Sequence, residues 1–180
     1  ESKFNNVFTD TTDLGKTFYE FVLFEDFSEL AKANTKSRLR MAYLYAQANT
    51  HNGLVVGCGN KIEDFGIGFA TVGGDLVCDI SPIGDLYKSE VYAIGRELWL
   101  IDAVLQAKPN DGLWDGSPSD EEQIGATYDE LEWAMEHLKG KDVFLFPYTD
   151  RQKEVIEIYK KLHNNNQHKM KPIPVCKIQQ

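Results

Sequence analysis

Between residues 57 and 88 the chain gathers seven of its 14 glycines together with Pro82, Glu63, Asp75, Asp79, Asp85 and Lys88, and Arg38 lies upstream. Carboxylates and a lysine in glycine-rich loops suit a magnesium ion and a polyphosphate, because magnesium takes oxygen ligands and keeps several waters. The stretch Gly57-Cys58-Gly59-Asn60-Lys61-Ile62-Glu63-Asp64 follows a short apolar run and leads towards a helix. That layout presents backbone N–H groups to an anion at a helix N-terminus. It matches neither the Walker pattern nor the dinucleotide fingerprint. A plain strand-to-helix connection carrying solvated charges therefore stays open beside the phosphate-binding reading.

The elements that must position these residues are legible in part. Leu39, Ala42, Tyr43 and Ala46 recur as one buried helical face requires, which predicts a helix from about Asn34. Gly53-Leu54-Val55-Val56-Gly57 reads as a strand covered on both faces, with a second strand near Val77 to Ile80. Val91, Ile94, Leu98 and Ile101 mark another amphipathic helix, broken by the turn residues from Pro109 to Gly116. Thr127 with Glu130, and Thr149 with Gln152, have capping-box spacing and open two further helices. These bury Tyr128, Leu131, Met135 and Leu138 in one and Val155, Ile158, Tyr159 and Leu162 in the other. The segment from Asn164 to Gln180 reads as a polar tail, and Phe18, Phe21 and Val22 suggest a short helix near the start. Four helices around so little strand leave backbone groups of a parallel sheet without neighbours, which points to strands upstream of residue 1.

Composition narrows the functional classes. With 180 residues, 42% of them hydrophobic, the chain is the size of one soluble globular domain, and no apolar run approaches the ~20 residues that cross a bilayer. A net charge of −9 would repel a nucleic-acid backbone. Cys58, Cys78 and Cys176 have no metal-ligand spacing and fit reduced thiols in a cytoplasm.

Three segments, Lys36 to Met41, Gly53 to Asp64 and Asp79 to Lys88, closely resemble the NAD synthetase family. The likeness continues through Asp111-Gly112-Leu113-Trp114, Asp120 to Leu131 and Gln167-His168-Lys169, and covers roughly residues 34 to 175 in order. It implies the carboxyl-terminal portion of an ammonia-dependent enzyme of the ATP pyrophosphatase superfamily, with residues 1–180 forming a single domain. The implied fold is α/β, a doubly wound parallel sheet of the adenine nucleotide alpha hydrolase-like, Rossmann-like kind, incomplete at its N-terminus. The implied reaction adenylates nicotinic acid adenine dinucleotide and lets ammonia displace AMP to give NAD, in a cytoplasmic homodimer.

Carried over by position, the resemblance makes Glu63 a magnesium ligand and assigns Cys58, Lys88 and Asn110 to ATP. It gives Arg38, Phe69, Asp79, His168 and Lys169 to the dinucleotide, with Phe69 placed to stack on the pyridine ring. Cys58 stands where relatives often have threonine, and Val72-Gly73-Gly74-Asp75-Leu76 lacks the lysine that many have there. The family's Ser-Gly-Gly-x-Asp-Ser pyrophosphate loop does not occur in these residues, so the chain as written is expected to show little or no synthetase activity. Two rival readings remain: another ATP pyrophosphatase with a different acceptor, and a nucleotide-binding or dimerising piece without catalysis.

Overall fold

Ser28 opens the first described element: its hydroxyl accepts from the Ala31 amide and starts α1, Glu29–His51, which ends at Asn52 in a left-handed conformation. The computed structural model describes residues 27–114, 116, 118–140 and 147–178. The short helix expected around Phe18, Phe21 and Val22 lies outside them.

After α1 come a π-helix, Lys61–Ile67, then α2, Lys88–Glu97, and the single turn α3, Asp102–Leu105. They are followed by α4, Asp120–Ile124, α5, Tyr128–Leu138, and α6, Asp150–Met170. The chain divides into two compact units. One comprises the described residues up to Cys58, with Thr71–Pro82 and Asn110–Pro118; the other comprises Gly59–Ala70, Ile83–Pro109 and Ser119 onwards.

In the first unit, α1 buries Ala33, Ser37 and Met41, spaced four apart. The face expected from Leu39, Ala42, Tyr43 and Ala46 is half-buried or exposed instead. The helix packs against polar loops, so a small serine serves its buried stripe better than leucine. Parallel pairing among the described residues is a single bridge, Val56 to Ile80, with the Gly57 amide donating to the Ile80 carbonyl at 2.8 Å and the Asp79 amide to the Val55 carbonyl at 2.9 Å. The expected strands thus shrink to one bridge. Val55 is 6% exposed while Leu54 and Val56 are 66% and 59% exposed, so only one face of this segment is covered.

The second unit holds the hydrophobic core. Ile62 and Ile67 of the π-helix meet Tyr128, Leu131, Ala134 and Met135 of α5 and Val155 and Tyr159 of α6, joined by Ile124 and Ala126. Each large side chain removed from water contributes about 1.5–3 kcal/mol. Both expected capping boxes form, at Thr127 with Glu130 and at Thr149 with Gln152. The helix expected through Val91, Ile94, Leu98 and Ile101 ends at Glu97, and Leu98 and Ile101, each 68% exposed, lie beyond it. Leu138, expected in the core, is 43% exposed at the last residue of α5. Helix α6 runs to Met170, through residues that read as tail.

Arg151 clasps Glu130 from Nε and Nη2, each at 2.7 Å, and with the Thr127 amide this holds the Glu130 carboxyl down at about 2 despite partial burial. A carboxyl whose folded pKa lies below its unfolded value of about 4.3 stabilises the fold above the unfolded value, and the contribution fades as pH falls towards the folded one. Glu130→Gln should therefore melt a few degrees below wild type at pH 7 and draw level with it near pH 2, in thermal scans at the two pH values. The effect is small because exposed pairs are screened by water. An equal gap at both pH values would contradict the assignment.

Candidate functional site

The second unit brings together two of the charges that the sequence singles out for phosphate chemistry. Asn60 caps the π-helix, accepting on Oδ1 from the amides of Ile62 at 2.9 Å and Glu63 at 3.1 Å, while Glu63 Oε2 accepts from the Asn60 amide at 3.0 Å. This reciprocal box fixes where the Glu63 carboxylate points. Lys88 is the first residue of α2, and its Nζ donates to Glu63 Oε1 at 3.0 Å. A cation at a helix N-terminus opposes the helix dipole, and the facing carboxylate offsets that opposition.

Tyr128 completes the cluster. Its hydroxyl donates to Glu63 Oε1 at 2.5 Å and lies 3.3 Å from Asp120 Oδ2, and the Lys88 ammonium sits 4.7 Å from its ring centroid. Burial, followed by the negative charge of Glu63, drives the Tyr128 phenol far above its ordinary value. The phenol therefore stays protonated and acts as a donor. Side-chain exposures of 13% for Glu63 and 21% for Lys88 place the pair in a half-desolvated setting, where charge interactions are stronger than in water.

A carboxylate has roughly four acceptor positions, and Glu63 receives from Lys88, Tyr128 and the Asn60 amide. One oxygen position remains for a cation. Among the described residues no group of three or more His, Cys, Asp or Glu side chains is arranged to hold a metal. This donor set does not fit an all-protein metal cage. It fits magnesium held by one carboxylate, with phosphate oxygens and water completing the shell.

In the first unit, α1 fastens two loops. Ser37 Oγ donates to Asp75 Oδ1 at 2.6 Å and accepts from the Asp75 amide at 3.1 Å, while Asp75 Oδ1 also accepts from the Thr71 amide at 2.9 Å. A Cβ on Gly74 would stand 2.3 Å from Ser37 Oγ, so only glycine permits this approach. Arg38 Nε donates to the Val72 carbonyl at 3.1 Å. Lys36 reaches the Leu113 carbonyl at 2.9 Å, and Arg40 those of Asp111 at 2.8 Å and Gly112 at 2.9 Å.

The remaining expected residues divide between the units. Asp79, in the first, accepts from the Val55 amide at 2.8 Å and lies 3.4 Å from the Tyr45 hydroxyl. Asn110 Oδ1 accepts from the Gly112 amide at 2.6 Å, shaping the turn in which it stands, and Cys58 is exposed. In the second unit, Phe69 is half-buried against the core and its amide donates to the Glu63 carbonyl at 2.8 Å. His168 is exposed on α6, and Lys169 Nζ donates to the carbonyls of Gly68 at 3.0 Å and Ala70 at 2.8 Å.

In the sequence Tyr128 reads only as a core residue, and neither Asp120 nor Asn60 stands out as part of a site. The Asn60-x-x-Glu63 spacing, a variant of the capping-box signature, is the available signal for the last.

Comparison with known proteins places the chain in a family. The family model for NAD synthase matches residues 3–173. The NH(3)-dependent NAD(+) synthetase of Methanocaldococcus jannaschii is 37% identical over 138 residues, 75% of this chain and 52% of that protein. The enzyme of the same name from Alkaliphilus metalliredigens is 40% identical over 147 residues, 81% of this chain and 54% of that protein. Among solved structures, the NMN synthetase of Francisella tularensis superposes with a TM-score of 0.73 at 32% identity, over 92% of this chain and 63% of that one. The NH3-dependent NAD synthetase of Campylobacter jejuni does so at 0.68 and 26%, over 92% and 62%. The chain spans about half the length of the curated relatives it matches.

Proposed function

Because the chain belongs to the NAD synthase family, we propose that it serves the ATP-dependent amidation of nicotinic acid adenine dinucleotide to NAD, with ammonia as nitrogen donor. The names of its relatives support this reaction. One observation carries the reading: Glu63 and Lys88, 25 positions apart in the sequence and both expected at the nucleotide, meet at 3.0 Å.

The chemistry explains why such a pair is useful. A carboxylate is a poor acyl electrophile because its leaving group would be an oxide. Adenylation supplies AMP as the leaving group, and the step concentrates negative charge on phosphate oxygens. Lys88 offers positive charge there, and Glu63 would hold the magnesium. When bound, that ion neutralises charge on the phosphates as the α-phosphate is attacked. Tyr128 keeps the Glu63 carboxylate in place, and the desolvated setting strengthens both contacts. Asn110 and Cys58 stand for further ATP contacts, through an amide side chain and a backbone amide.

For the dinucleotide we assign Arg38, Asp79, Phe69 and His168, with Phe69 stacking on the pyridine ring. The doubly wound parallel sheet is the fold we assign, with the Val56 to Ile80 bridge as its described piece. The superposition on two synthetase structures supports it. A homodimer acting in the cytoplasm is part of the same reading, and no described helix is long and apolar enough to cross a membrane.

The likeness to an NMN synthetase favours a second acceptor, the acid form of the mononucleotide. Both are tested together. The full-length protein is incubated with magnesium ATP, ammonia and either nicotinic acid adenine dinucleotide or nicotinic acid mononucleotide, while AMP and the amide product are followed. AMP appearing in step with NAD supports the first reading, and AMP in step with NMN the second. AMP release that requires some other acceptor removes both.

A further inference from the structure

We propose that His163, Asn166 and Lys169 form a clamp on α6 that sets the position of the 66–70 segment, making Lys169 a positioning residue and not a direct partner of substrate phosphates. The inference rests, for its functional half, on the reading that Phe69 meets the substrate ring.

The three residues recur every third position along the helix, so they lie on adjoining turns. His163 Nδ1 lies 2.7 Å from the Gly66 carbonyl, Asn166 Nδ2 donates to that of Ile67 at 2.9 Å, and Lys169 Nζ donates to those of Gly68 and Ala70 at 3.0 and 2.8 Å. With Nδ1 assigned as protonated, all three side chains act as donors. The last carbonyls of a helix lack partners within it and are commonly left to water. Here the π-helix ends at Ile67, and its trailing carbonyls are taken one after another by a neighbouring helix.

The docking is close. Gly68 has φ +62°, and a Cβ there would stand 2.5 Å from Asn166 Cβ, so both its backbone and its lack of a side chain are required. Tyr159 stacks on the His163 ring at 5.8 Å between centroids and fixes its orientation. The segment held in this way contains Phe69, and the Gly68 and Phe69 amides both donate to the Glu63 carbonyl. Movement of the clamp would therefore shift Phe69 and the backbone of Glu63 together. Two of the three N–H donors of the Lys169 ammonium are taken by these carbonyls, which ties the side chain to the segment it holds.

The test combines amide hydrogen exchange over residues 66–70 with calorimetric titration of nicotinic acid adenine dinucleotide at several salt concentrations. Wild type, Lys169→Met and Asn166→Ala are compared. Asn166 has no charge and no assigned ligand, so it reports the clamp alone. Both variants should speed exchange at Gly68 to Ala70 by about tenfold and weaken dinucleotide binding by a similar factor. The salt dependence of binding should run parallel in wild type and Lys169→Met, because the removed charge did not pair with the ligand. A flattened salt dependence in Lys169→Met, or weaker binding with unchanged exchange, overturns the proposal in favour of a direct contact. Faster exchange with unchanged affinity overturns its functional half. If wild type binds no dinucleotide, the functional reading fails, and the exchange data alone decide whether the clamp exists.

Discussion

In the full-length protein, Glu63→Gln is expected to lower the rate of AMP formation by about 10²–10³-fold while leaving the fold intact. Removing one preorganised electrostatic contact from a charge-developing step costs about 2.7–4 kcal/mol, which sets that range. The glutamine is nearly isosteric, and its carbonyl oxygen can still accept from the Tyr128 hydroxyl, which sits 2.5 Å from Glu63 Oε1. It lacks the charge that faces Lys88 and would hold magnesium, and its amide nitrogen cannot accept from the Asn60 amide as Oε2 does. Glu63→Ala should be inactive and also less stable, by about 2 kcal/mol. It strands a half-buried ammonium, and orphaning one partner of a desolvated pair costs more than the intact pair contributes. Steady-state rates with thermal melting separate the two effects. A Glu63→Gln protein with wild-type turnover would remove Glu63 from the chemistry.

The second large effect is on stability alone. Leu131 is fully buried, 0% exposed, in the core that joins the π-helix, α5 and α6. Leu131→Ala should cost about 3 kcal/mol from lost transfer energy and the cavity left behind. In a chain of this size that lowers the melting temperature by roughly 6–12 °C. Leu138→Ala, further along the same helix but 43% exposed, should change it by little. Comparable losses for the two leucines would mean that the core has been misplaced.

The contrast between these leucines shows what the sequence could and could not reveal. Capping boxes at Thr127 and Thr149 were readable because each depends on residues within one helical turn. Burial is a tertiary property, and the periodic pattern extended it past its limits to Leu138, Leu98 and Ile101. On α1 the pattern selected the wrong stripe, because the surface facing Ser37 is the polar 71–75 loop, held by Asp75. The run from Asn164 to Met170 looked like tail because its side chains are polar. They are polar because Asn166 and Lys169 bond carbonyls of another segment, which no local pattern encodes.

At the site, Glu63 and Lys88 stand out by residue type and by family likeness, but their contact, across 25 positions of sequence, is visible only in the folded chain. The part played by Tyr128 was hidden because its ring satisfies the apolar pattern while its hydroxyl does the polar work. Lys169 reads by position as a ligand contact, and its carbonyl partners are visible only in the folded chain.

The most direct test of the central claim, that Glu63 and Lys88 converge on one nucleotide's phosphates, is nuclear magnetic resonance of the protein with ATP and manganese in place of magnesium. Paramagnetic broadening should be strongest for the amides around Glu63 and Lys88 and should vanish in Glu63→Gln. Broadening that is centred elsewhere, or that persists undiminished in Glu63→Gln, would contradict the account.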